Sequence, residues 1–169
     1  TTLLKLIVRM NVSDNEYQRK YRDELVYAVL DVCSKDRYSM LEDFGQYLRV
    51  LADLARLAGR PHGYLIGEQM VDITVRVEEV RPESLEIAFG LLTDYSLFEQ
   101  GLGNVHKWNF YSLQSSAWIV GELSRLIPTG KKRSVIETLL RPEVGTLLPP
   151  SSQVIYLTAA LKVYAVSYT

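Results

Sequence analysis

The chain has 169 residues, 47% of them apolar and 23% charged, with a formal net charge of −1 at neutral pH. That length is one domain's worth of polypeptide, and that composition excludes a disordered chain. A chain of this size buries about two-thirds of its extended surface on folding, so neither a disulfide nor a metal is needed to hold it together.

The chain opens on Leu3, Leu4, Ile7 and Val8 at helical spacing, which predicts the last turns of an incomplete helix. Ser13 and Glu16 then read as a capping box, in which hydroxyl and carboxylate satisfy orphan backbone amides reciprocally. The helix they open is predicted to run to about Ser34, with Tyr21, Leu25, Val29 and Val32 on one face. A second capping box, Ser39 with Glu42, predicts a helix to about Leu57, and Gly59 is placed to end it. This helix carries two apolar stripes: Leu41, Phe44, Leu48, Leu51 and Ala55 on one, Tyr47, Val50, Leu54 and Leu57 on the other. A surface helix needs one stripe, so two predict a helix with neighbours on both sides.

Pro61 suits a first helical turn and is expected to begin the next helix, with Ile66, Met70, Ile73 and Val77 facing inward. Pro82 restarts the chain, through Leu85, Ile87, Ala88, Leu91 and Leu92 to about Asp94. Gly101, Gly103 and Asn104 mark residues 95–107 as the longest loop. A long helix is predicted from about Trp108 to Ile127, with Ala117 and Gly121 four apart, and Pro128-Thr129-Gly130 breaks it. A short helix follows from about Ser134 to Leu140. Arg141-Pro142 and Pro149-Pro150 frame a turn, and a last helix runs from about Ser151 to Tyr168.

No stretch shows strand alternation, so the fold class is all-α. Helix pairs are predicted to start near residues 16, 61, 108 and 150, separated by about 42 to 47 residues. That spacing falls in the range of HEAT or armadillo repeats, whose pairs bury their faces only against neighbours in an α-solenoid. A compact helical bundle is the structural alternative. No run reaches the roughly 18 uninterrupted apolar residues of a membrane span. No basic leader precedes the first apolar run, and charges return at Lys5 and Arg9, so no secretory signal is expected there. Both ends fall inside helical or apolar patterns, so residues 1–169 are expected to be a fragment of a longer protein, cut at both ends.

The chemistry that would point to an enzyme is missing from the pattern. Two histidines and one cysteine do not build a closed zinc site. Cys33 has no partner for an internal bridge, which suits a reducing compartment, and it is expected to be an ordinary buried residue. His62 and His106 are expected to be solvated or capping histidines, and Trp118 a core residue. Gly101-Leu102-Gly103 is only a fragment of a nucleotide fingerprint, with no strand before it. Lys131-Lys132-Arg133 is the one dense basic run. It reads as a solvated loop beside a helix start, with contact to an acidic lipid headgroup or partner as the alternative. No catalytic, cofactor-binding or metal-binding residue is predicted.

Several segments together resemble a known family. Tyr21-Arg22-Asp23-Glu24-Leu25 followed by Val32-Cys33-Ser34 resembles a stretch in the trunks of the large subunits of clathrin-adaptor complexes. So do Leu41-Glu42-Asp43-Phe44, Tyr47-Leu48, Val50-Leu51 and Leu54-Ala55-Arg56-Leu57. His62-Gly63, Leu65-Ile66, Gln69-Met70, Asp72-Ile73, Arg76-Val77, Ala117 to Glu122 and Leu140-Arg141-Pro142 are similar to the delta branch of that family. The ordered set covers most of residues 16–165. It departs where the family often has tryptophan and Gln46 stands, and it is poor over 95–107.

The resemblance implies a piece of an adaptin trunk, from its C-terminal half. Such trunks are α-solenoids that wrap the medium and small subunits and pair with the other large subunit, the beta chain. It also implies a non-catalytic coat scaffold, cytoplasmic and peripheral on Golgi or endosomal membranes through its complex. That complex sorts transmembrane cargo to lysosomes or vacuoles. No cofactor, nucleic acid or small-molecule substrate follows from it. The family's cargo and GTPase contacts lie toward trunk N-termini, so no binding residue is carried over. The competing expectation is another helical-repeat scaffold, of transport-receptor or phosphatase-scaffold type, with a concave face that binds peptides.

Overall fold

The computed structural model describes residues 16–99 and 110–167, apart from the side chains of residues 58–61 and 99. Among the described residues there are eight α-helices and no strand. Helix α1 (Glu16–Ser34) packs on α2 (Phe44–Arg76), and α3 (Arg81–Thr93) packs on both α2 and α5 (Phe110–Glu122). Helix α6 (Thr129–Leu139) packs on α3 and on α8 (Pro150–Ala165). The helices thus form two rows, α1, α3 and α6 in one and α2, α5 and α8 in the other, an all-α solenoid. Two short helices, α4 (Tyr95–Glu99) and α7 (Pro142–Leu147), lie in the connections.

Helix α2 is the spine of the stack. Its two stripes are both used: Tyr47, Leu48, Leu51, Leu54 and Ala55 are buried, and Phe44, Val50 and Leu57 pack against the core half-buried. One side meets α1 and the other meets α3 and α5, as a two-striped helix requires. Ion pairs lace its outer edge to the α3 side, Arg49 to Glu83 at 2.5 Å and Arg56 to Asp94 at 3.0 Å.

The predicted break at Gly59, with a new helix at Pro61, is wrong: α2 runs through both as one 33-residue helix. The reason lies in register. Ile66 follows Leu48, and Ile73 follows Ala55, by eighteen residues, or about five full turns, so the inner face continues unbroken. Interior glycine and proline together cost about 4 kcal/mol. Burying Ile66, Met70 and Ile73 completely, at about 1.5–3 kcal/mol each, outweighs that. With no helix start at 61, the four-pair layout is also corrected. The described residues form three pairs, α1 with α2, α3 with α5, and α6 with α8, and Pro150 starts a second-row helix.

Other boundaries move for local reasons. The Ser39–Glu42 capping box does not form. Asp43 is the cap of α2, accepting a hydrogen bond from the Gln46 amide at 2.8 Å, so the helix begins at Phe44 and leaves Leu41 outside it. Upstream of it, Asp36, Arg37 and Tyr38 all have positive φ, a left-handed turn that swings the Tyr38 ring onto Phe44 and Tyr47. On α1 the inner face is Val26 and Leu30, whereas Tyr21 and Val32 are exposed. Contact with α2 buries one narrow stripe and selects the neighbouring residues.

The proposed loop over 95–107 begins as helix α4, which buries Leu97 and Phe98. The helix from 108 ends at Glu122, and a 3₁₀ turn covers Ser124–Leu126. Thr129 and Gly130 start α6 instead of breaking the chain, and the expected turn after Arg141 is helix α7. The first capping box, the opening apolar run, Gly101, Gly103 and His106 lie outside the described residues. No helix among the described residues is long and apolar enough to cross a membrane.

Candidate protein-interaction surface

Among the described residues, no three His, Cys, Asp or Glu side chains gather where they could hold a metal ion. Cys33 is half-buried against Tyr47. His62, expected to be solvated, is buried, because the continuous α2 turns it into the α1–α2 seam. Its Nε2 lies 4.0 Å from Asp23 Oδ1, too far to bond, and makes no hydrogen bond. Burial holds its pKa below the ordinary histidine value, against the opposing pull of the Asp23 carboxylate.

An open cleft of about 690 Å³ lies between the left-handed turn, α2 and α5, lined by Arg37, Tyr38, Glu68, Asp72, Arg76 and Ser115 among others. Its acids are already engaged: Arg76 donates to Asp72 at 2.5 Å and Tyr64 to Glu68 at 2.5 Å. Burial, and then the neighbouring Asp72, push the Tyr38 phenol well above its usual range, so it stays neutral. The cleft is a mixed-charge recess without a poised group. Deeper in the same region, Tyr47 donates to Gln69 at 2.5 Å and Gln69 donates to the Leu30 carbonyl at 3.0 Å, tying α1 to both halves of α2.

The surface says more than the recesses. On α8, Ser152, Tyr156, Ala159, Ala160 and Val163 are buried, and a second stripe of Val154, Leu157 and Leu161 is 53–62% exposed. Tyr21 and Val32 are also exposed on α1, eleven residues apart, at the other end of the stack. Single exposed apolar residues are ordinary, but aligned ones at helical spacing are the candidate for a contact face. Sequence reading missed the α8 stripe, although its spacing of three and four was there to be found.

The basic run sits inside α6 rather than in a loop. Lys132 Nζ donates to the Val166 carbonyl, Arg133 pairs with Glu137 at 2.9 Å, and Lys131 is exposed. Two of the three cations are therefore engaged within the chain. Trp118 is half-buried, at the α5–α8 seam. There the two helices touch backbone to backbone: a methyl group on Gly121 would lie 2.8 Å from Ala159 Cα. Gly67 plays the same part between α2 and α5, where a methyl group would lie 3.0 Å from the Tyr111 carbonyl. Arg141 pins three elements, lying 3.9 Å over the Phe98 ring and donating to the Leu92 carbonyl.

No family model matches the chain. It is 34% identical over 150 residues to the AP-3 complex subunit delta-1 of Bos taurus, covering 86% of this chain and 12% of the bovine protein. It is 34% identical over 141 residues to the AP-3 complex subunit delta of Arabidopsis thaliana, covering 83% of this chain and 15% of that protein. Against the AP-3 complex subunit delta of Dictyostelium discoideum it is 30% identical over 150 residues, 86% of this chain and 12% of that protein. The chain therefore spans 12–15% of the length of these curated relatives.

Proposed function

As a sequence relative of the AP-3 delta subunits, matched to one segment of them, this chain is, we propose, a non-catalytic scaffold segment of a heterotetrameric vesicle-coat adaptor. The observation that carries the reading is the match itself, which spans over four-fifths of the chain in an animal, a plant and an amoeba. The segment corresponds to the C-terminal half of a helical-repeat trunk, with residues 1–169 as a piece of it. Its partners are the beta, medium and small subunits, and its place is the cytoplasmic face of Golgi or endosomal membranes, reached through the complex. The task of that complex is sorting transmembrane cargo toward lysosomes or vacuoles.

The geometry supports the reading in physical terms. A scaffold works through shape and contact area, and this stack has an aligned exposed apolar stripe on α8 and a mixed-charge recess. The test is affinity purification of the full-length, tagged protein from cells. Recovery of adaptor beta, medium and small subunits in stoichiometric amounts is the expected result. Recovery without them, beside transport cargo or a phosphatase, would replace this reading with that of another helical-repeat scaffold.

A further inference from the structure

We propose that Ser134 is a phosphorylation site for a basophilic serine kinase, and that opening of the first turns of α6 controls access to it. Lys131, Lys132 and Arg133 stand at the three positions before Ser134, and kinases of this class select their serine by pairing such cations with carboxylates. Ser134 is exposed, and among the described residues its hydroxyl makes no hydrogen bond; only its carbonyl is engaged, by Thr138 at 2.9 Å.

A kinase reads its substrate as an extended segment, so the helix must open, and this end of α6 is built weakly. Pro128 occupies the cap position and offers no side-chain hydrogen bond. Gly130 lies in the first turn, with a helix propensity about 1 kcal/mol poorer than alanine. No acid stands in the first turn, and the three cations that follow meet the positive end of the helix dipole. The Arg133–Glu137 pair is solvent-exposed and worth little. Between Thr129 and Val135, only Val135 is buried, so opening this stretch uncovers one core side chain and releases the Lys132 bond to the Val166 carbonyl.

In the transfer, Ser134 Oγ attacks the γ-phosphorus of ATP and forms the new P–O bond. The bond from that phosphorus to the β,γ-bridging oxygen breaks, ADP leaves with the electron pair, and the serine proton passes to the kinase's base. The product carries about −1.5 to −2 charges on a run of three cations. Glu137, three residues on along the same face, is then repelled, and Arg133 is drawn from it to the phosphate.

The experiment treats the full-length protein with the cyclic-AMP-dependent kinase and labelled ATP, then maps the label by mass spectrometry. Label on Ser134, abolished by Ser134→Ala, is expected. Lys131 is exposed and makes no ion pair among the described residues, so Lys131→Ala leaves the fold intact and should lower kcat/KM about tenfold. Gly130→Ala strengthens the helix without touching a neighbour, since a methyl group there meets nothing within 4 Å, and should slow labelling about fourfold. No label on Ser134, or label that survives Ser134→Ala, overturns the site. An unchanged rate in Lys131→Ala overturns recognition by the run, and an unchanged rate in Gly130→Ala overturns control by helix opening.

Discussion

At His62, burial and charge pull in opposite directions, and the balance is measurable. Loss of solvent disfavours the imidazolium and is the larger effect; Asp23, 4.0 Å away, favours it, and Arg22 on the same helix opposes it again. The folded pKa therefore lies below the ordinary 6.5, and on acidification the unfolded chain takes up the proton first. Stability from this residue is present above pH 6.5 and is lost as pH falls through 6.5 toward the folded value. His62→Gln should flatten that decline, so that urea midpoints of variant and parent converge or cross between pH 7.5 and 5.5. Parallel midpoints over that range would show the ring to be freely solvated. The sequence held no sign of this burial, because Pro61 invited a helix start and a first-turn histidine faces water. The lone thiol was easier: Cys33 lies on the half-buried edge of α1, close to its expected place in an apolar helical pattern.

Single helices show where patterning is enough and where it is not. The two stripes of α2 were legible from spacing alone, because a period of 3.6 needs no knowledge of the neighbours. Its length was not legible. Gly59 and Pro61 are strong local stops, and only the register shared by Leu48 and Ile66 overrides them. Glycines make the same point in opposite senses. In α3, a methyl group on Gly90 would meet nothing within 4 Å, so Gly90→Ala should raise the melting temperature by removing backbone entropy from the unfolded chain. In α5, the same change at Gly121 drives a methyl group into the Ala159 backbone at 2.8 Å. Gly121→Ala should therefore lower stability by about 1–3 kcal/mol despite the better helix propensity. Thermal melts of the two variants check this, and a shift of the same sign in both would refute the close contact. The α8 stripe of Val154, Leu157 and Leu161 belongs to the legible class, since it needed only the period.

The whole molecule is a row of neighbours, and its stability should be local. Helix α1 reaches the rest chiefly through α2, and α6 and α8 lie at the far end of the stack. Leu30→Ala, a fully buried residue on α1, should speed amide exchange in α1 and the adjoining part of α2, leaving α6 and α8 unchanged. Uniform acceleration across the chain would indicate a single cooperative bundle instead. The all-α class follows from the absence of alternation, whereas the repeat spacing does not survive, since Gly59 and Pro61 carry the local signature of a break inside a continuous helix. The glycine contacts carry a mechanical corollary. Gly67 and Gly121 let α2, α5 and α8 touch at the backbone, whereas Gly90 and Gly130, in the opposite row, touch nothing. In a stack where each element rests chiefly on its neighbours, the spacing at one seam is passed on along the row. A single methyl group at Gly121 would thus act less as a local wound than as a change in how α8 is placed against the whole row.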